Sequence, residues 1–287
     1  MLSALLGLLG SFIYGASDFF GGRAATRLRA ETVTAINSIA GVALLLIASP
    51  FFGATYSAGA LAWGAAAGAA GAVALALLYG CLAIGPMSIL APIMALVSAV
   101  VPITIAFARG ERLSGIGYLG MAVGLVAVLL ICFVPGAGAV RPTPRGIVMA
   151  VGAGIAVGLY LFFIDLSPTD SGIAPLVVVF AVAGLITWTA VLIRRIATGP
   201  SRRQPTGNRW TSGIALGVYS GLTDSAACIL FLLALRLGDL SVVSVLNALS
   251  PAGTIVLAAV VLKERVAIVQ WIGLVVALVA AALLALA

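Results

Sequence analysis

Ten apolar stretches, most of about twenty residues, recur along the chain, and the short segments between them hold nearly all of its charge. They run over residues 3–22, 32–52, 59–83, 86–108, 114–134, 146–164, 173–193, 211–235, 239–262 and 266–286. At about 1.5 Å of rise per residue, about 20 residues cross a hydrocarbon core of roughly 30 Å. Each stretch therefore predicts a membrane-spanning helix, and the chain an all-α polytopic membrane protein. The last two show the unit plainly: an apolar arm over 240–262, the triplet Lys263-Glu264-Arg265, then a second apolar arm from Val266. The triplet marks a tight turn at the membrane interface.

The same unit occurs once before. A shift of 153 positions lays 82–130 on 235–283 and matches Gly85 with Gly238, Ser88 with Ser241, Leu96 with Leu249 and Gly120 with Gly273. It also matches Glu111-Arg112 with Glu264-Arg265 and Leu-Val-Ala at 125–127 with 278–280. Ala and Leu coincide readily in an apolar chain, whereas Glu-Arg and Gly at one fixed offset mark an internal duplication. Span 1 echoes span 6 more weakly, Gly15 to Phe20 lying over Gly158 to Phe163. A Pro- and Gly-rich break from Pro135 to Pro144 separates the halves. The organisation expected is a first repeat over 1–134, an inter-repeat loop over 135–145 and a second repeat over 146–287. With five spans in each half, the second half enters from the opposite side, so the two form an inverted pair, an arrangement common in secondary transporters.

Composition narrows the function. Of 287 residues, 63% are hydrophobic and 8% charged, against about 25% charged in an ordinary soluble domain. The net charge of +7 would suggest nucleic acid in a soluble protein, but here the Arg residues lie between apolar runs, where they set orientation. Loops after odd-numbered spans carry 12 of the basic residues and loops after even-numbered spans 3. The positive-inside rule then places the odd loops in the cytoplasm and both termini outside. There is no His, which removes imidazole metal sites and His bases. Cys81, Cys132 and Cys228 fall inside apolar runs at no ligand spacing and read as small core residues. The first apolar run starts at Leu2 without a basic n-region or small-residue cleavage site, so it reads as a retained span. Gly115-Ile-Gly117-Tyr-Leu-Gly120 matches a nucleotide fingerprint formally but has no strand before it, and Lys263 follows Leu262 rather than Gly. No cofactor, metal or ATP chemistry is expected.

An ionised group at the bilayer centre costs at least about 2.5–3.5 kcal/mol on insertion scales, so its presence points to function. Asp224, midway along span 8, and Asp18, one turn from the end of span 1 beside Tyr14 and Ser17, are the two candidates. Asp224 could bind a cationic group or take up a proton, or be a carboxylate hydrogen-bonded within a helix interface; Asp18 could take part in such binding or be merely interfacial. Asn37 in span 2 and Asn247 and Ser250 in span 9 add neutral polar groups at depth. Pro92 and Pro102 in span 4 and Pro251 in span 9 free carbonyls and permit kinks in equivalent spans, beside a central cavity or only for packing. Gly213, Gly217 and Gly221, Gly64 and Gly68, Gly154 and Gly158, and Gly120 and Gly124 form small-residue faces suited to close helix packing. The pairs Glu111-Arg112 and Glu264-Arg265 sit at span ends and read as interfacial anchors or helix-end pairs. Asp239 reads as an N-cap.

The repeated unit resembles the EamA family of the drug/metabolite transporter superfamily, most closely from Asn247-Ala-Leu-Ser-Pro251 through Glu264 to Gln270-Trp-Ile-Gly273. The stretch 83–120 and Ser17-Asp18-Phe-Phe-Gly-Gly-Arg23 are similar to it too. The resemblance implies a ten-helix secondary transporter of small metabolites, often an exporter, in a bacterial plasma membrane. It implies a cavity near Tyr14, Asp18, Asp224, Asn247 and Ser250, and both termini in the cytoplasm, against the charge count. A lipid or lipid-carrier flippase of the same fold and an intramembrane enzyme are the other classes. The first wants a basic side chain at membrane depth, which Arg236 alone approaches; the second wants paired catalytic groups close in sequence, which are lacking. Ten spans suffice for one pathway, as a monomer or a homodimer, with a small-molecule substrate and the bilayer as partners.

Overall fold

A computed structural model describes residues 1–84, 87–133, 143–198, 208–263 and 266–286. Glu264, Arg265 and most of the expected inter-repeat loop lie outside these. The helices are α1 (Leu2–Ala25), α2 (Ala30–Phe52), α3 (Ala58–Ile84), α4 (Met87–Ala108), α5 (Gly115–Cys132) and α6 (Pro144–Asp165). They continue with α7 (Ala174–Thr198), α8 (Asn208–Leu237), α9 (Leu240–Ala248), α10 (Pro251–Val261) and α11 (Ile268–Ala285). Among the described residues, nine stretches are long and apolar enough to cross a membrane, α9 with α10 making one of them, and the shorter Pro92–Ala108 belongs to α4. The chain is thus a polytopic helical membrane protein.

Polar residues at the interfaces start several helices. Ser114 accepts from the Gly117 N–H at 3.2 Å and Thr143 from the Gly146 N–H at 3.1 Å, each satisfying a donor that a first helical turn leaves open. Gln270 accepts from the Ala267 N–H at the start of α11, and its amide donates to the Ile131 carbonyl across the halves.

The halves interlock by reciprocal contacts. A Cβ on Gly68 of α3 would meet Val179 and Val182 of α7; one on Gly221 of α8 would meet Asn37 and Ala40 of α2. Gly221 lies 153 positions after Gly68, and Val179 and Val182 lie 142 after Asn37 and Ala40. Gly64 and Gly217 repeat the relation on Val178 and Ile36. Likewise Gly158 of α6 packs on Val101 and Pro102 of α4, while Gly15 of α1 packs on Ser250, Gly253 and Thr254 at the start of α10. Each glycine lets a backbone approach where lipid gives no hydrophobic drive to associate. Contact i-to-j with its counterpart j-to-i is the mark of a two-fold axis. Five crossings separate equivalent helices, so they run in opposite directions and the axis lies in the membrane plane.

Prolines act differently in the equivalent spans. α4 continues as helix through Pro92 and Pro102, whereas span 9 breaks at Leu249–Ser250 and restarts with Pro251 in its first turn. Pro is suited to a first turn because its missing N–H has no helical partner there.

Candidate functional site

A stripe along α8 organises the polar interior. Ser220, Asp224 and Cys228 follow one another at four-residue spacing, which puts them on one face. Gly221 next to this stripe draws the α2 backbone in at Asn37. From there the Asn37 amide donates to Ser220 Oγ at 3.1 Å and stands within interaction range of the Asp224 carboxylate. Ser17 of α1 joins at the other side: its Oγ donates to the Ser220 carbonyl at 3.0 Å, and Ser220 Oγ lies 3.0 Å from the Ser17 carbonyl. Cys228 Sγ stands 3.7 Å from Asp224 Oδ1 and 3.3 Å from the Tyr160 hydroxyl of α6. The result is one chain of polar contacts, Ser17–Ser220–Asn37–Asp224–Cys228–Tyr160, across four helices. Tyr14 packs edge-on against Phe231, ring centroids 6.2 Å apart, within electrostatic reach of Tyr160.

Asp18 faces inward and is nonetheless exposed. At about 100° per residue, the exposed Leu2, Leu5 and Leu9 mark the lipid side of α1. Ser3, Gly10 and Ser17 mark the side against α8, and Phe12 and Gly15 the side against α10. Asp18 projects opposite the lipid side, between the other two. Its accessible surface therefore borders a cavity within the bundle. The cavity continues along the same face past Gly22, where a Cβ would meet nothing within 4 Å, to the exposed Ala25. In the other direction Gly7 and Ser11 are buried on that face: a Cβ on Gly7 would meet Leu246, and Ser11 Oγ donates to the Leu246 carbonyl. Asp18 and Asp224 lie within range of each other's charge. Among the described residues no cationic side chain pairs with either; the ion pairs there are Arg29–Glu31, Arg109–Asp165 and Arg194–Glu31.

Tyr14, Asp18, Asn37 and Asp224 are thus brought together. Asn247 and Ser250 are not: Asn247 is buried in α9 and Ser250 sits at the break against Gly15, and neither joins the chain of bonds among the described residues. Cys228, read from sequence as a small core residue, is buried but serves as a hydrogen-bonding link. Ser220, Cys228 and Tyr160 were not singled out as site residues; the four-residue stripe with Asp224 was the available signal for the first two. Glu111 caps α9, accepting from the Ser241 N–H at 3.2 Å and from Ser241 Oγ, while Asp239 at the N-cap makes no side-chain cap bond. Arg112 is exposed. Among the described residues no cluster of three or more His, Cys, Asp or Glu could hold a metal ion.

The site breaks the symmetry of its scaffold. The repeat offsets set Asp224 over Gly71, Ser220 over Ala67, Asn37 over Val179 and Asp18 over Leu161. These four polar groups lie on one side of the two-fold, their counterparts being apolar or Gly, whereas Ser17 and Tyr160 are counterparts of each other and both polar.

Comparisons with known proteins agree with this architecture. A solved crystal structure, described only as that of a protein, superposes with a TM-score of 0.73 over 99% of this chain and 98% of its own, at 19% identity, a likeness of fold. No curated protein matches. The model of the EamA-like transporter family matches residues 144–286. Through that half, which carries Asp224, Cys228 and Tyr160, the chain belongs to the EamA-like transporter family of the drug/metabolite transporter superfamily.

Proposed function

We propose that the protein is a secondary transporter that moves a small organic solute, in the export direction, by alternating access between its two inverted halves. Asp18 and Asp224 hold a cationic group of the solute or the coupling proton. The observation that carries this reading is an exposed carboxylate on the inner face of α1, within reach of a second one, with no basic side chain paired to either among the described residues. A charge kept at membrane depth without a partner has a function as its default explanation. A flippase would want Arg236 free for a phosphate, yet its Nη2 donates to the Gly172 and Pro168 carbonyls.

The test is flux in proteoliposomes with three probes: putrescine as a dication, leucine as a zwitterion and uracil as a neutral solute. Amine-dependent movement that falls at least tenfold in Asp224→Asn supports the reading. Equal movement in wild type and Asp224→Asn removes the carboxylate from it, and chemical conversion of a probe would make the protein an enzyme instead.

A further inference from the structure

The two-fold relation fails at one more place, and the failure has a direction. All nine residues of α9 are buried, whereas only Ala252 and Gly253 are buried in α10. α9 packs on α4; α10 does not to any comparable extent among the described residues. Spans 4 and 9, equivalent across the axis, therefore meet in one half of the membrane and part in the other. The cavity beside Asp18 follows the same direction. It runs towards the end of α1 that carries Arg23, Arg27 and Arg29, and it is stopped towards the other face by Leu246 on Gly7 and Ser11.

The stopped face is tied across the halves. Arg109 at the end of α4 pairs with Asp165 at the end of α6 at 2.6 Å. Glu111, in the α4–α5 loop of the first half, grips Ser241 in the first turn of α9, in the second half. The first N–H groups of a helix lack internal partners and carry partial positive charge. Asp239 leaves the α9 donors uncapped, so the carboxylate that satisfies one comes from the opposite repeat.

We propose that this structure is the state open to the arginine-rich face, and that Glu111 is the latch holding the opposite face shut through the start of α9. This rests on the alternating-access reading: a solute can leave by the shut face only if α4 and α9 part there, and the Glu111–Ser241 contact must then break. Because the grip is an acceptor function, Glu111→Gln keeps it and Glu111→Ala loses it.

The test needs no solute. Nitroxide labels at Arg112→Cys and Leu237→Cys, in a chain whose Cys81, Cys132 and Cys228 are alanine, flank the latch, and pulsed electron resonance reads their separation in nanodiscs. The expected result is one narrow population in the parent and in Glu111→Gln, and a second, longer population in Glu111→Ala. Should Glu111→Ala fail to fold, Ser241→Ala, which removes the hydroxyl donor and keeps the N–H, is expected to broaden the distribution towards longer distances. A folded Glu111→Ala or Ser241→Ala with the parent distribution overturns the latch, as does a Glu111→Gln that opens as far as Glu111→Ala. Failure of flux with a latch-dependent distance would instead overturn transport and leave the latch standing.

Discussion

Gly120 and Gly273 each hold the other's helix by the same pair of positions. A Cβ on Gly120 of α5 would meet Leu283 and Leu284 of α11; one on Gly273 of α11 would meet Leu130 and Ile131 of α5. Both offsets are 153, so α5 and α11 cross on the axis itself and make a self-complementary contact.

The two glycines are not equally replaceable. On Gly273 the added carbon would stand 2.8 Å from the Ile131 backbone nitrogen, while on Gly120 the equivalent Leu284 nitrogen would stand at 3.1 Å, beside side-chain carbons at 3.0 Å. Backbone cannot swing aside as a side chain can. Gly273→Ala is expected to cost about 1–3 kcal/mol through overpacking, and Gly120→Ala less. Thermal unfolding of the two variants in detergent checks the order. Equal losses would mean that the crossing relaxes as a unit.

Asn37→Val places in α2 the residue that stands at the equivalent place in α7, Val179. The Asp224 carboxylate would keep the weak Cys228 contact and lose the Asn37 amide beside it. A hydrogen bond to a charged group is worth about 1.5–3 kcal/mol, and about 1.4 kcal/mol is a factor of ten. Flux of the transported probe is expected to fall roughly tenfold to a hundredfold with the protein still folded. Unchanged flux would show that Asn37 only packs α2 on α8.

Much of this was legible in the sequence, because it depends on length, periodicity and repetition. Among the described residues, nine of the ten expected spans are apolar helical stretches of membrane-crossing length, and the four-residue glycine stripes name faces that do pack. Direction around a helix in three dimensions was less legible. Asn247 and Asp224 both read as polar groups at depth. Asn247 sits on α9, which packs on α4 and meets α1 at Gly7 and Ser11, and it makes no hydrogen bond to the α8 stripe among the described residues. The proline signal was ambiguous for a similar reason, since a missing N–H says nothing about whether the neighbours tolerate a straight helix. At Pro251 the ladder shifts to i-to-i−3 bonds, Ser250 N to Asn247 O and Gly253 N to Ser250 O, and Gly15 lets the Ser250 carbonyl approach α1.

Pro251→Ala would return an N–H to that ladder. The expected outcome is slower amide hydrogen exchange across 248–254, as the break takes on regular helical bonding, together with reduced flux if α9 and α10 must move separately. Exchange equal to that of the parent would place the cause of the break in the Gly15 crossing alone.

The last prediction concerns pH at the shut face. Burial pushes the Glu111 carboxyl above its ordinary range, the two Ser241 hydrogen bonds pull it back, and nearby Asp239 and Asp165 add to the upward push. Arg109, paired with Asp165, is the neighbouring cation that the labelled chain keeps, Arg112 being replaced by the label site. Once released into water, the carboxyl would return to its ordinary range, about 4.3. The latched form therefore binds the proton more tightly than the released form. Its advantage is full below the ordinary range and is lost as pH rises through the latched value, after which the balance is flat. The population with the longer Arg112→Cys to Leu237→Cys separation is thus expected to grow as pH is raised from about 4 towards neutrality. In Glu111→Gln it should not respond, since nothing there titrates. Opening on acidification, or a slope that survives in Glu111→Gln, would overturn Glu111 as the source of the pH response.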